Sequence, residues 1–457
     1  MPLGRRILKL ALPSIATFSS QTLTGMLTLI IVGRLGASAI AIVGICNILM
    51  YNCWALFAGL NESINYLVSQ NYGEKSMSAG NQRMQIALLL SLVLDVLWFV
   101  ASLTLPREIL TWVGANPSLI HAGTSYLRIR MFAFLFSMFT NVFYAYMRAV
   151  GDTKTPMLIS MFTNSALIVL TYILTYGAFS FHGLGLDGAG WSMVITEGIG
   201  FTSSLFVYYV LYQRKFSTRV WQRIHWEPMR LIIWESAKLS VMELSMSLGM
   251  LVFTACITRL GTVAVAANEM ALNILSLGFM PANGFSAAAT IIVGQDVGRK
   301  RPLDAKRGGL YTVGFGLIFM ALFSIFLWLF ALRVAKIYTA DAAVYTLAVS
   351  LIHIASFIQL FDGAGIIFSG GLRGSGDTTF LFRMSLILNW IVFIPLTIVL
   401  TTVFHLGQSG AWFSLCTLIV LICLSYGFRY LKMDWSMVAS RSIHVQPAVL
   451  GMEEEKR

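Results

Sequence analysis

Seven carboxylates lie inside stretches that are otherwise apolar: Glu62, Asp95, Glu197, Glu235, Glu243, Glu269 and Asp362. Only one basic residue, Lys238, sits well within such a stretch. A charge at the centre of a bilayer costs at least ~2.5–3.5 kcal/mol on insertion scales, so each needs a partner or a wet cavity. Carboxylates in that setting can exchange a proton or hold a hard cation through oxygen. Their excess over bases also favours cations electrostatically. Asn273 follows Glu269 by four residues, on the same helical face, and offers an amide oxygen to a sodium shell. Other chemistries find no support. Cys46, Cys53, Cys256, Cys416 and Cys423 form neither a CxxC pair nor a metal-ligand spacing. No HExxH, nucleophile elbow or P-loop occurs, so neither an enzyme nor an organic cofactor is expected.

The elements that carry these acids are set by hydropathy. The 457 residues are 57% hydrophobic and 11% charged, with a mean hydropathy of +0.76. About twelve apolar stretches reach the roughly 20 residues that a spanning helix needs. The net charge of +12 raises nucleic acid as a partner, but its placement answers that. With a cytoplasmic N-terminus, 24 Lys/Arg fall on the inside and 7 on the outside, which is the positive-inside bias. The expectation is a multi-pass inner-membrane protein with both termini cytoplasmic, acting as a monomer without nucleic acid. The first apolar run is expected to stay in the mature protein, and residues 433–457 to form a disordered polar tail.

Self-similarity at an offset of 225 residues organises the chain. Gly33-Arg34-Leu35-Gly36 meets Thr258-Arg259-Leu260-Gly261; Gln70 and Gly73 meet Gln295 and Gly298. Arg148, Gly151 and Asp152 meet Arg373, Gly376 and Asp377, and Asn164 meets Asn389. The expected fold is all-α, with twelve transmembrane helices in two parallel six-helix repeats around a central cleft. The expected divisions are a lobe over 1–211, a cytoplasmic loop over 212–230 and a second lobe over 231–432. Gly73 and Gly298 suit helix C-caps. The Arg-Gly-Asp turns, with a base near helix-end carbonyls and an acid near the next helix start, are read as structural. Pro13 and Pro281 permit bends within their spans.

In order and sidedness these motifs resemble the multidrug and toxic compound extrusion (MATE) family, from about Leu8 to Lys432. The resemblance rests on Val32-Gly33-Arg34-Leu35-Gly36, Gln70-Asn71-Tyr72-Gly73, Phe279-Met280-Pro281 with Gly284-Phe285-Ser286, and Asp362-Gly363 leading to Leu372-Arg373-Gly374-Ser375-Gly376-Asp377. It implies two lobes forming a V-shaped cleft, and export of organic, often cationic amphipathic compounds in exchange for Na⁺ or H⁺. It places a cation-binding carboxylate at Asp362 and often a glutamate in the seventh helix, here Glu243. The expected coupling set is Asp362, Glu243, Glu269 and Asn273, with any sodium ion at the three carboxylates. Asn61, Glu62 and Asn65 are the expected cargo contacts, Glu62 otherwise pairing with a loop base. Many bacterial members carry an aspartate in the first helix where Thr28 stands here, so coupling through that helix is not expected. The alternative function is a lipid-linked saccharide flippase, which should line its cavity with cationic residues that this chain lacks.

Overall fold

The computed structural model describes residues 3–112, 116–178, 182–338 and 341–441. Every regular element among them is helical, and twelve helices are long and apolar enough to cross a membrane. They are α1 (Leu3–Gly33), α2 (Ala37–Gly73), α3 (Met77–Thr104), α4 (Pro117–Ala149), α5 (Lys154–Tyr176) and α6 (Leu186–Leu211). The second set is α7 (Trp226–Thr258), α8 (Thr262–Gly298), α9 (Pro302–Tyr338), α10 (Ala342–Ser375), α11 (Thr378–Val403) and α12 (Gly407–Lys432). Hydrocarbon offers no partner to backbone N–H or C=O groups, so a chain this apolar must bond them within helices. α1 and α8 run unbroken through Pro13 and Pro281. α11 instead widens into π-turns at Leu388–Phe393 and Val399–Val403, flanking Pro395, which has no N–H to donate.

Packing divides the chain into two compact units. One comprises Met1–Ile15, Ser69–Lys75 and Ala237–Arg457; the other comprises Ala16–Val68 and Ser76–Ser236. The sequence-drawn lobes are therefore not followed residue by residue. Ile7, Leu10 and Ala11 of α1 are buried against Phe285, Ile292, Val313 and Ile367 of α8, α9 and α10. That apolar contact draws the start of α1 into the first unit. A larger core in this unit centres on Phe253, Ile352 and Trp412, and the second unit is built on Val43, Cys46, Tyr126 and Met138. Residues 435–441 form a short helix, and Trp435 donates from its indole N–H to the Tyr430 carbonyl at 3.1 Å. The expected disordered tail thus begins as ordered structure, because Trp435 has an apolar face to bury; residues 442–457 lie outside the described residues.

The repeat is visible bond by bond. The Gly151 N–H donates to the Arg148 carbonyl at 2.8 Å and the Asp152 N–H to Met147 at 3.0 Å; Gly376 and Asp377 donate to Arg373 and Leu372 at 2.9 and 3.0 Å. Gly151 and Gly376 have φ of 86° and 85°, the left-handed region that favours glycine. Asn164 donates to Ser20 Oγ at 2.8 Å, and Asn389 to Ser245 Oγ at 3.1 Å, so both partners of this bond are 225 residues apart. The flanking side chains have diverged. Arg148 lies over the Phe18 ring, 5.7 Å from its centroid, and donates to the Tyr144 carbonyl, whereas Arg373 donates to Ser286 Oγ at 3.0 Å. Asp152 accepts from the Thr155 N–H at 3.0 Å and the Tyr212 hydroxyl at 2.7 Å; Asp377 pairs with Arg429 at 2.6 Å.

Gly73 and Gly298 prove not to be caps. The left-handed residues at these helix ends are Lys75 and Lys300, with φ of 60° and 59°. The glycines are required by a close crossing within the first unit. A β-carbon on Gly73 would lie 2.1 Å from the Gln295 carbonyl oxygen, and one on Gly298 would lie 2.0 Å from that of Gln70. Side-chain bonds flank the crossing. Arg6 pairs with Asp296 at 2.9 Å and donates to Gln295, and Gln70 donates to the Gly374 carbonyl at 3.0 Å.

Gly73→Ala or Gly298→Ala should therefore destabilise the protein by about 1–3 kcal/mol through overpacking. Gly44→Ala, which meets nothing within 4 Å, should leave the thermal melt in detergent unchanged. A second expectation concerns Asp152. Burial would raise its carboxyl, but hydrogen bonds from Tyr212, Thr155 and the Lys154 backbone outweigh that and hold it below the ordinary carboxylate value. A group depressed in this way stabilises the fold above its unfolded value of about 3.9 and loses that effect as acid protonates it. Asp152→Asn should cost roughly 1 kcal/mol at neutral pH after solvent screening. The gap in melting temperature to the wild type should close as the pH falls below about 4, through the depressed folded value.

Candidate functional site

In the first unit, Asp362 lies on α10 and is 9% exposed. Its Oδ2 is buried with no hydrogen-bond partner among the described residues. The helix around it is pressed closely on its neighbours. A β-carbon on Gly363 would meet Met320 of α9 at 2.7 Å, and one on Gly365 would lie 3.5 Å from the Cys423 backbone of α12. Cys423 also lies within electrostatic reach of Asp362. Glu243, half-buried on α7, acts on Tyr426 of α12, as does Arg373. These two acids therefore both approach the same helix, α12.

Glu269 and Asn273 are placed elsewhere. Both are exposed on α8, and the Asn273 amide donates to the backbone carbonyl of Glu269 at 2.8 Å, leaving the carboxylate uncontacted by it. The register between α8 and α10 explains the separation. Ser286 donates to the Ile366 carbonyl and Thr290 to that of Gly370, a constant offset of 80 residues. Asp362 then lies level with Ala282, thirteen residues beyond Glu269 on α8, or about 20 Å along the helix. Among the described residues no three His, Cys, Asp or Glu side chains are grouped to hold a metal ion. The three-carboxylate sodium site of Asp362, Glu243 and Glu269 is thus not assembled, which corrects that expectation.

In the second unit, a cavity of about 280 Å³ is lined by polar groups that include Thr28, Asn47, Arg130, Tyr144, Asn164 and Glu197. Thr28 turns its hydroxyl to the Thr24 carbonyl at 2.7 Å. Glu197 of α6 supplies the carboxylate to this cavity and accepts a hydrogen bond from Ser137 of α4. Arg130 donates to the Asn47 amide oxygen. Sequence reasoning recorded Glu197 only as one of seven mid-span acids. Nothing local distinguishes it, because its cavity forms only where α1, α2, α4, α5 and α6 converge.

The Asn61-Glu62-Asn65 cluster belongs to the same unit. Glu62 is half-buried and acts on Arg148, a base at the end of α4. Ser63 bonds Ser236 at 2.9 Å, and Asn65, 3% exposed, has a buried Oδ1 without a partner. In the first unit, Lys238 is buried and donates to the hydroxyls of Thr378 and Thr379, both at 3.0 Å.

Comparison with known proteins adds an independent line. The MatE family profile matches residues 13–173 and again residues 239–399. This double match coincides with the duplicated turns. The chain is 25% identical over 414 residues to the probable multidrug resistance protein NorM of Thermotoga maritima, covering 89% of this chain and 88% of that protein. It is 27% identical over 450 residues to the protein of the same name from Pseudomonas aeruginosa, covering 94% and 89%. The alignment to the Bacillus cereus protein of that name is 29% identical and spans 64% of each chain. Among solved structures, a crystal structure of MATE in the bent conformation superposes with a TM-score of 0.87 at 21% identity, covering 97% of this chain and 98% of that one. An outward-facing multidrug resistance MATE family transporter superposes at 0.84 and 22%, covering 96% of both. The fold agrees, and the profile covers most of the chain in two copies: this protein belongs to the MatE family.

Proposed function

We propose that the protein is a secondary antiporter that exports organic, cationic amphipathic compounds in exchange for Na⁺ or H⁺. The family and the multidrug resistance relatives support the transport class. The observation that carries the coupling is Asp362, a carboxylate inside a membrane span with a buried oxygen that no neighbour satisfies. An unpaired charge there is unfavourable by several kcal/mol, so the group favours binding a cation. Exchange follows when ion and cargo stabilise different states of the protein. Glu243, facing Tyr426, is assigned to the same coupling task, with Glu269 and Asn273 in a lesser part set by their distance. Within the expected cargo cluster of Asn61, Glu62 and Asn65, Glu62 supplies the charge that would attract a cationic compound. The cavity around Glu197, at about 280 Å³, lies at the lower limit for drug-sized ligands, and suits a hydrated cation better. The charge bias of the loops supports an inner-membrane location with both termini cytoplasmic. A lipid-linked saccharide flippase is not favoured by any of these relatives.

Dye efflux from everted vesicles, with Na⁺ and pH gradients imposed separately, identifies the coupling ion. Asp362→Asn should reduce gradient-driven efflux to the level of vesicles lacking the protein while its amount in the membrane stays unchanged. Wild-type drug resistance in cells carrying this variant would refute the assignment. Glu269→Gln should retain most of the efflux, since its carboxylate lies about 20 Å from Asp362 along the bundle.

A further inference from the structure

Asp95 is a membrane-embedded acid that the proposed mechanism does not use. Asp95 of α3 is 5% exposed, and both of its carboxylate oxygens are buried without a hydrogen-bond partner. Ser91, one turn away on the same face, is fully buried with an unpartnered Oγ. The opposite face of this stretch is unlike it. Leu92, Val93, Val96 and Leu97 are 51–63% exposed, as befits lipid contact. Asp95 is therefore turned into the second unit, away from the hydrocarbon.

What it faces follows from two contacts between α2 and α3. Phe57 meets Trp98 edge-on at 6.0 Å, and Arg83 donates to the Leu67 carbonyl at 2.8 Å. The helices thus run antiparallel, and the Phe57–Trp98 contact sets the level of the residues beside it. One and two turns beyond Phe57 on its face stand Asn61 and Asn65; one and two turns before Trp98 stand Asp95 and Ser91. The Asn65 Oδ1 is the fourth buried polar atom here without a partner. Charged groups of the adjoining helices are directed elsewhere: Arg83 to the Leu67 carbonyl, Arg130 to Asn47 and Glu197 to Ser137, while Glu62 lies within electrostatic reach of Arg148. None of Asn61, Asn65, Ser91 and Asp95 lines the cavity around Glu197.

We propose that Asp95, with Asn61, Asn65 and Ser91, forms a second cation site within this unit, taking a small hard cation on oxygen ligands. One carboxylate, two amides and a hydroxyl suit a sodium ion, and the carboxylate alone suits a proton. Asn61 and Asn65 then serve the ion rather than the cargo. The site rests on the antiport reading only where transport is the readout.

The test uses dicyclohexylcarbodiimide, which modifies protonated carboxyls in apolar surroundings, on the full-length protein in detergent, with peptide mass spectrometry as readout. If a proton occupies the site, modification of Asp95 should fall at least about tenfold as the pH rises from about 6 to about 9. If sodium occupies it, Na⁺ but not choline should protect Asp95 at constant pH. Modification indifferent to both, or absent while Asp362 is modified, overturns the proposal. Asp95→Leu separates a site from a packing misfit: a misfit gives unchanged efflux and a higher melting temperature, which also overturns it. A site gives lost efflux in a protein that still inserts and melts in one transition. Failure of the antiport reading looks different, with no efflux by the wild type while Asp95 keeps its response to cations.

Discussion

An ionised carboxylate without a counter-charge in hydrocarbon is the constraint around which this molecule is arranged. Several charged groups near the spans meet it by engagement: Asp296 with Arg6, Asp377 with Arg429, Lys238 with two threonine hydroxyls. Two acids do not. Asp362 in one unit and Asp95 in the other keep buried oxygens without partners. Glu197 is intermediate, with one hydroxyl and a polar cavity before it. The gradation from engaged to unengaged acids separates groups that hold the bundle together from groups available to an ion.

Duplication has preserved backbone geometry more faithfully than side-chain chemistry. The Arg148 and Arg373 turns share hydrogen bonds and a left-handed glycine to within a degree of φ. Yet Asp152 serves the next helix start, while Asp377 pairs with Arg429. The acids have diverged further: Thr290 and Glu243 stand 225 residues from Asn65 and Phe18. Each copy has kept the frame and acquired its own polar interior.

Much of the fold was legible in sequence because its signals are local. Apolar run length reports a spanning helix directly, and the spacing of Arg148, Gly151 and Asp152 reappears intact at Arg373, Gly376 and Asp377. The polar interior was legible only as single residues, such as the mid-span carboxylate of Asp362. Glu197 and Asp95 look alike in sequence, and only the packing of neighbouring helices gives one a hydroxyl and a cavity and leaves the oxygens of the other without a hydrogen bond. The register of α8 on α10, which separates Glu269 from Asp362, is likewise a tertiary property. Gly73 was misread for the same reason: a glycine at a helix end suggests a cap, whereas this one makes room for another backbone.

That close approach is reciprocal. Gly73 faces the carbonyl of Gln295, and Gly298 faces that of Gln70. Contacts of the form i to j and j to i are isologous, the kind two identical chains make across a two-fold axis. A half-length ancestor carrying a single Gln-x-x-Gly segment would have sufficed to build this crossing with its own copy.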